Sequence, residues 1–322
     1  MRAHGAVLSP VRVGYETVSD AFGFIRQAVL MDWQTIVQHI ESATRQPFKL
    51  LTAQPLAGGD INAAYRLQAE NVSFFVKLNS PERLAMFEAE AAGLQALTQA
   101  QAIRVPKLIV CGKTTGHAFL VLEYIALSNL NTRSEQLLGQ QLALLHLQKQ
   151  AYFGWHRNNT IGSTTQFNGQ CHDWITFWQE QRLGPQLTLA AANGYGGRLQ
   201  TLGEKLCTDL KPWFFGYQPQ PALVHGDLWA GNAAADKEGN PVIFDPACYF
   251  GDRETDLAMT ELFGGFSPAF YQAYQAVYPL EPGYASRKTL YNLYHILNHL
   301  NLFGQSYLHQ AETMISKLLA DL

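Results

Sequence analysis

Asp227, Asn232 and Asp245 are the side chains whose types and spacing could do chemistry together. The first two lie in Leu223-Val224-His225-Gly226-Asp227-Leu228-Trp229-Ala230-Gly231-Asn232, the third in Pro241-Val242-Ile243-Phe244-Asp245-Pro246. In each stretch an apolar run with strand character delivers a carboxylate at its end. An Asp at the head of a loop can orient an attacking hydroxyl and accept its proton. An Asn five positions later can reach a metal on the phosphates, and an Asp thirteen beyond that supplies the second metal ligand. That is the equipment for moving a phosphoryl group from Mg²⁺·ATP to an alcohol. Taken singly, His-Gly-Asp is an ordinary turn and Asp-Pro a common strand exit. Taken jointly, they describe one metal–phosphate site with Asp227 as catalytic base and Asn232 and Asp245 as ligands of Mg²⁺.

The preceding residues supply what such a site needs for the nucleotide. Phe74-Phe75-Val76-Lys77-Leu78 sets a Lys inside an apolar strand. An edge-strand Lys that blocks aggregation is the bland alternative. The functional reading has Lys77 on the α and β phosphates, oriented by a Glu of the following helix. Glu88 and Glu90 both fall there and face different ways. Glu90 shares a side with Phe87 and Leu94 and is expected to point inward to Lys77. Gly58-Gly59-Asp60 is a hairpin signature that could cover the nucleotide, or simply a β-turn. Glu123-Tyr124-Ile125 ends an apolar strand and fits a hinge whose backbone bonds adenine. Asp256, in the helix after Asp252-Arg253-Glu254-Thr255, is assigned structural support of the catalytic loop, with Asp252 or Thr255 as that helix's cap.

These groups must be positioned by two unlike halves. Between Phe48 and Ile125 the pattern is of strands, Phe48–Leu56, Ile61–Gln68, Val72–Leu78, Lys107–Val110 and Ala118–Tyr124, with a helix opened by Pro81 over Glu82–Thr98. After Leu127 it turns helical: Ser134–Gln148 with Ser134 as cap, then Asp173–Leu183, Tyr195–Leu210, Thr255–Phe263, Pro268–Val277, Ser286–Phe303 and Tyr307–Leu322. The expected fold is α+β and two-lobed, protein-kinase-like, with a small five-stranded N-lobe carrying one helix (31–126) and a larger, mostly helical C-lobe (127–322). Residues 1–30 lack periodic structure; they are expected to be a poorly ordered extension that activity does not need. A net charge of −3 points to neither nucleic acid nor membrane. Cys111, Cys171, Cys207 and Cys248 are scattered, which speaks against a disulfide framework or a zinc site and for a reducing cytoplasm.

At these motifs a resemblance enters. His-Gly-Asp-Leu-Trp-Ala-Gly-Asn at 225–232, Val242–Ala247, Phe74–Asn79, Met86–Leu94 and Ile103–Leu108 resemble the fructosamine kinase (ketosamine-3-kinase) family, near the aminoglycoside phosphotransferases and choline kinases. Phe153-Gly154-Trp155, Asn159–Ser163, Gln166–Asn168, Asp173-Trp174, Arg182–Gln186 and Leu293–Gly304 extend it over about residues 31–322. The resemblance implies ATP-dependent phosphorylation of the sugar of a ketosamine, an Amadori adduct that is either a small molecule or a glycated protein. Trp229 could stack on the sugar's C–H face or pack in the core. Asn159 and Asn168 are candidates for the substrate pocket, solvent-facing turns being their commoner fate. Asp60 stands where some relatives carry a nucleotide-loop Cys. Two other readings stay open: a kinase of another small metabolite or an aminoglycoside on the same fold, and a catalytically inactive binding module. Intact Lys77, Asp227, Asn232 and Asp245 argue against the last.

Overall fold

The computed structural model describes residues 32–57 and 61–321. The expectations for residues 1–30 and for Gly58, Gly59 and Asp60 fall outside them. The chain opens with α1 (Trp33–Thr44), capped by the Asp32 carboxylate on the Thr35 N–H. Then come β1 (Thr52–Leu56), β2 (Ala63–Gln68) and β3 (Ser73–Asn79). A short 3₁₀ turn at Pro81–Arg83 leads into α2 (Leu84–Ala100), followed by β4 (Leu108–Lys113) and β5 (Ala118–Glu123). The five strands form one antiparallel sheet in the order β1-β2-β3-β5-β4.

Alternation along the central strands decides which residues meet which layer. Phe74, Val76 and Leu78 of β3 and Phe119 and Val121 of β5 pack with Ile36 and Ile40 of α1. The opposite face, with Ala118, Leu120 and Leu122, packs with Met86, Phe87, Leu94 and Leu97 of α2. The sheet is therefore covered by a helix on each side, α1 and α2. Lys77, paired with Leu120 across the ladder, belongs to the α2 face.

After β5 the chain becomes helical. α3 (Thr132–Leu145) starts two residues before the expected Ser134: Asn131 is the cap, and Ser134 closes a capping box from within the helix. The hairpin β6 (Asn159–Ile161) and β7 (Thr164–Gln166) follows; its three-residue strands were missed because they are too short to show a period. The helix expected over Asp173–Leu183 is α4 (Trp174–Trp178) running through a π-helical turn, Gln179–Leu183, into α5 (Gly184–Ala192). α6 spans Arg198–Thr208. β8 (Ala222–Val224) delivers the loop that carries Asp227 and Asn232, and β9 (Ala233–Ala235) and β10 (Pro241–Ile243) form the ladder that delivers Asp245. β11 (Tyr249–Gly251) returns against β8. The chain closes with α7 (Glu254–Leu262), α8 (Pro268–Val277), α9 (Tyr284–Phe303) and α10 (Leu308–Ala320). Among the described residues no helix is long and apolar enough to cross a membrane. Cys111, Cys171, Cys207 and Cys248 are all free thiols.

The start of α7 is fixed by buried charge. Arg287 of α9 grips the Glu254 carboxylate through two bonds, Nε–Oε2 at 2.7 Å and Nη2–Oε1 at 2.9 Å. Both residues are essentially solvent-free. The cap residue is Arg253 rather than the expected Asp252 or Thr255; Asp252 braces the helix start by accepting from the Glu254 N–H at 3.0 Å, and its other oxygen takes the Tyr291 hydroxyl at 2.5 Å. Removing one member of such a pair leaves the other charge buried and uncompensated. Arg287→Met is expected to lower the free energy of unfolding by about 3–5 kcal/mol, read from urea denaturation. A loss within 0.5 kcal/mol, about what a neutral surface change costs, would contradict this account of α7.

Candidate active site

The loop after β8 is shaped by a carboxylate that faces away from the site. Asp256 of α7 accepts the His225 N–H at 2.7 Å on Oδ2 and the Gly226 N–H at 2.8 Å on Oδ1. His146 Nε2 lies 3.2 Å from the same carboxylate, and Tyr274 holds the other ring nitrogen of His146 at 2.8 Å. Burial works against the Asp256 charge, but the His146 bond and the loop amides hold its carboxyl below the usual range. Gly226 sits at φ +82°, and a Cβ there would meet the Ala247 carbonyl oxygen at 2.2 Å. Only glycine satisfies both constraints. The Asp227 N–H points to His225 Nδ1 at 3.3 Å, so Nε2 carries the ring proton and donates to the Phe244 carbonyl at 3.0 Å. One imidazole thus ties the Asp227 loop to the residue before Asp245.

Asp227 itself is half-buried. Asn232 Nδ2 donates both to the Asp227 carbonyl at 2.9 Å and to its carboxylate at 3.2 Å. With its nitrogen committed, the Asn232 amide presents Oδ1 as its remaining polar atom. Burial pushes the Asp227 carboxyl up to about 7, with the negative charge of Asp245 adding to the effect and the Asn232 bond opposing it. Asp245 follows β10 at φ +58°, the left-handed region. For a non-glycine residue that conformation costs about 1–2 kcal/mol and must be enforced by its surroundings.

Lys77 completes the group. Its ammonium lies 2.7 Å from Glu90 Oε1 and 2.6 Å from Asp245 Oδ1. Burial alone would lower its pKa; the two carboxylates outweigh that, so Lys77 stays charged. Glu88 turns to the other side of α2, 3.5 Å from Arg157. Glu123 closes β5 with its carboxylate bound by Arg104 at 3.0 Å and by the Lys107 N–H at 3.2 Å, so any contact to a base would come from the backbone of Glu123, Tyr124 and Ile125. Arg104 also bridges to Asp236 beyond β9, pinning the sheet to the segment that carries Asp245.

Asn232 and Asp245 offer only oxygen donors, the set that a hard divalent cation prefers, and Mg²⁺ characteristically takes one or two protein ligands and fills the rest with phosphate and water. Among the described residues there is no group of three or more His, Cys, Asp or Glu that would hold a metal without such help. The residues fit Mg²⁺ bound together with a nucleotide.

On the acceptor side, Trp229 is not in the core: it is 40% exposed at the rim of the loop. Its ring meets Phe263 edge-on at 6.2 Å, and Phe263 meets His299 at 5.1 Å, giving an aromatic shelf that the sequence reading had reached only at Trp229. The expectation for Asn159 and Asn168 is corrected. Both are buried, and their amides are consumed internally. Asn159 donates to the Cys248 carbonyl at 2.8 Å and accepts from Gln166 and Asn168, while Asn168 accepts from Arg182 at 2.8 Å. An Asn gives the same sequence signal in a turn, a pocket or a buried network, so only the fold could separate them.

A small antiparallel lobe with one inward Lys–Glu pair, set over a helical lobe with an Asp–Asn loop and a strand-end Asp, defines the protein-kinase-like class of phosphotransferases. A choline kinase from Streptococcus pneumoniae shares that fold, with a TM-score of 0.59 over 90% of this chain and 99% of its own at 16% identity. More specifically, the family model for fructosamine kinase matches residues 32–321, and the chain belongs to that family. It is 49% identical over 288 residues to a probable ketoamine kinase of Synechocystis sp., covering 89% of this chain and 97% of the relative. It is 42% identical over 268 residues to the chloroplastic protein-ribulosamine 3-kinase of Arabidopsis thaliana, covering 82% and 81%. A crystal structure from Haemophilus somnus, provisionally described as a fructosamine-3-kinase, matches with a TM-score of 0.83 at 31% identity, covering 89% and 97%.

The raised pKa of Asp227 has a direction that can be checked. A base works as the carboxylate, and the fraction ionised falls as pH drops through its pKa. A bound cation pulls that value back toward the ordinary carboxylate range. The kcat/KM for the acceptor is expected to fall on the acid side, with a midpoint between the ordinary carboxylate range and about 7. A profile with no acid-side fall anywhere from about 7 down through the ordinary carboxylate range would contradict the assignment.

Proposed function

We propose that this chain is an ATP-dependent ketosamine kinase, transferring the γ-phosphoryl group of ATP to a sugar hydroxyl of an Amadori adduct borne by a small amine or by a protein. The observation that carries the reading is Lys77 held between Glu90 and Asp245, in a chain so close to ketoamine and ribulosamine kinases. By analogy with the name of the ribulosamine 3-kinase, the acceptor is the hydroxyl on the third carbon. Gly58, Gly59 and Asp60, whose sequence suits a nucleotide-contacting turn, serve the nucleotide, the backbone of Glu123, Tyr124 and Ile125 binds the base, and Lys77 neutralises the phosphates once they compete with Asp245 for its ammonium. Asn232 Oδ1 and Asp245 hold Mg²⁺, which supplies charge neutralisation on the phosphates when bound.

The acceptor hydroxyl is a poor nucleophile and gains little from early deprotonation. Asp227 orients it and takes its proton late, as the new O–P bond forms and the bond from the γ-phosphorus to the ADP oxygen breaks. Trp229 offers its ring to the C–H face of the sugar, and the half-exposed position supports that role over core packing. Among the described residues the shelf beside it is aromatic rather than acidic, which favours a neutral sugar over a polycationic aminoglycoside.

Base and metal ligand must fail differently. Asp227→Asn is expected to cut turnover on a fructosamine by roughly 10²–10⁴-fold while Mg·ATP affinity, read by calorimetry, stays near that of the unaltered chain. Asp245→Asn is expected to weaken Mg·ATP binding and make it depend steeply on Mg²⁺ concentration. Equal loss of nucleotide affinity in both would show the roles to be misassigned, and unchanged turnover in Asp227→Asn would falsify the mechanism.

A further inference from the structure

The segment that carries Asp245 is held from one side by groups already described. The Phe244 N–H donates to the Asn232 carbonyl at 3.1 Å, and the Ala247 N–H to the His225 carbonyl at 2.9 Å. The downstream carbonyls point the other way, toward the β6–β7 hairpin. There Gln166 Nε2 donates to the Ala247 carbonyl at 3.0 Å, and Asn159 Nδ2 to the Cys248 carbonyl at 2.8 Å. These contacts join residues more than eighty positions apart in the chain.

What makes the arrangement directional is Arg182. It is fully buried, with its guanidinium 4.1 Å from the centre of the Tyr249 ring and 4.7 Å from that of Phe177. A guanidinium can only donate. It donates to Asn168 Oδ1 at 2.8 Å, which turns the Asn168 nitrogen toward Asn159 Oδ1 at 2.9 Å. Asn159 must then offer its own nitrogen to the Cys248 carbonyl. Gln166 is set from two ends: its oxygen accepts the Tyr294 hydroxyl at 2.9 Å, and its nitrogen also bonds Asn159 Oδ1 at 2.8 Å. No amide in this network can flip without setting buried groups of like kind against each other, donor on donor or acceptor on acceptor.

We propose that Gln166 and Asn159, polarised through Asn168 by Arg182, are positioning residues for Asp245: they hold its segment in the left-handed turn that aims the carboxylate at the metal and at Lys77. The proposal rests on the reading of Asp245 as a Mg²⁺ ligand. Asp245 occupies a conformation its side chain disfavours, and the following Pro246 has no N–H with which to anchor the turn. The two amide bonds on Ala247 and Cys248 are the nearest restraints downstream on that side.

The test uses the full chain and reads binding of Mn²⁺ in the presence of ATP without acceptor, by electron paramagnetic resonance, beside turnover and melting temperature. Asn159→Leu and Gln166→Met each remove one anchor; if one fails to fold, the other decides. Glu135→Leu is the control. It breaks a buried contact to Ser267 at the start of α8 and bonds none of the residues that hold the Asp245 segment. Each anchor variant is expected to bind Mn²⁺·ATP about tenfold more weakly, the scale of one buried hydrogen bond lost, and to regain kcat as Mg²⁺ is raised. The control is expected to melt earlier with metal affinity intact. Anchor variants that melt earlier yet bind Mn²⁺·ATP like the unaltered chain overturn the proposal, as does a control that loses affinity equally. A chain that holds Mn²⁺·ATP and responds to these changes, but phosphorylates no ketosamine, would refute the substrate reading and leave the positioning role supported.

Discussion

The Asp256 carboxylate accepts two successive backbone N–H groups, of His225 and Gly226, and sits against the His146 ring in a region closed to water. Its bonds turn the chain after β8, and the proposed catalytic groups hang from that turn. Asp227 follows it directly. Asn232 closes back onto Asp227 within the same loop, and His225 reaches across to the Phe244 carbonyl just before Asp245. The carboxylate can do this because α7 is itself immobilised, by Arg287 on Glu254 and by the hydroxyls of Tyr217 and Tyr291 on Asp252. A chain of buried, fully partnered charges thus runs from α9 to the reacting centre. Such networks contribute little net stability, but each half-satisfied alternative is costly, so the geometry is specified more sharply than apolar packing would allow.

One ammonium ties the two lobes at their centre. Lys77 comes from the middle of the sheet, Glu90 from α2 and Asp245 from the end of β10. The close approach of α2 to the Asp245 segment depends on Gly93: a Cβ there would lie 3.3 Å from Pro246 and 3.5 Å from the Cys248 sulfur. Arg104 makes a second bridge, joining Glu123 at the end of β5 to Asp236. The lobes are therefore tied by the buried Lys77 cluster and by the more exposed Arg104 clamp near the strand exit.

Much of this was legible in the sequence where a physical pattern forced it. A Lys in an apolar strand needs a partner, and helical geometry separates Glu90 from Glu88, so the Lys77–Glu90 contact followed from face and spacing. The five main strands and Pro268–Val277 stood out by periodicity and by a Pro at the helix start. The cap of α3 did not: Asn131 and Ser134 both suit the role, and only the backbone shows that the Ser lies inside the helix. The π-helical turn after Trp178 has no local signature, and strands of three residues carry no measurable alternation. The Asn159, Gln166, Asn168 and Arg182 network was invisible because its essential acceptors are backbone carbonyls of Ala247 and Cys248, which no side-chain pattern can encode.

Phosphoryl transfer from ATP to a ketosamine sugar is the claim on which the other assignments converge. The most direct measurement is phosphorus NMR of the products formed from ATP with fructosamine, ribulosamine, choline and an aminoglycoside offered in parallel. One phosphomonoester on the sugar of a ketosamine per ADP formed, with the other acceptors left untouched, is the predicted result. ADP that appears at the same rate without a ketosamine, or phosphate found on choline or the aminoglycoside instead, would contradict it.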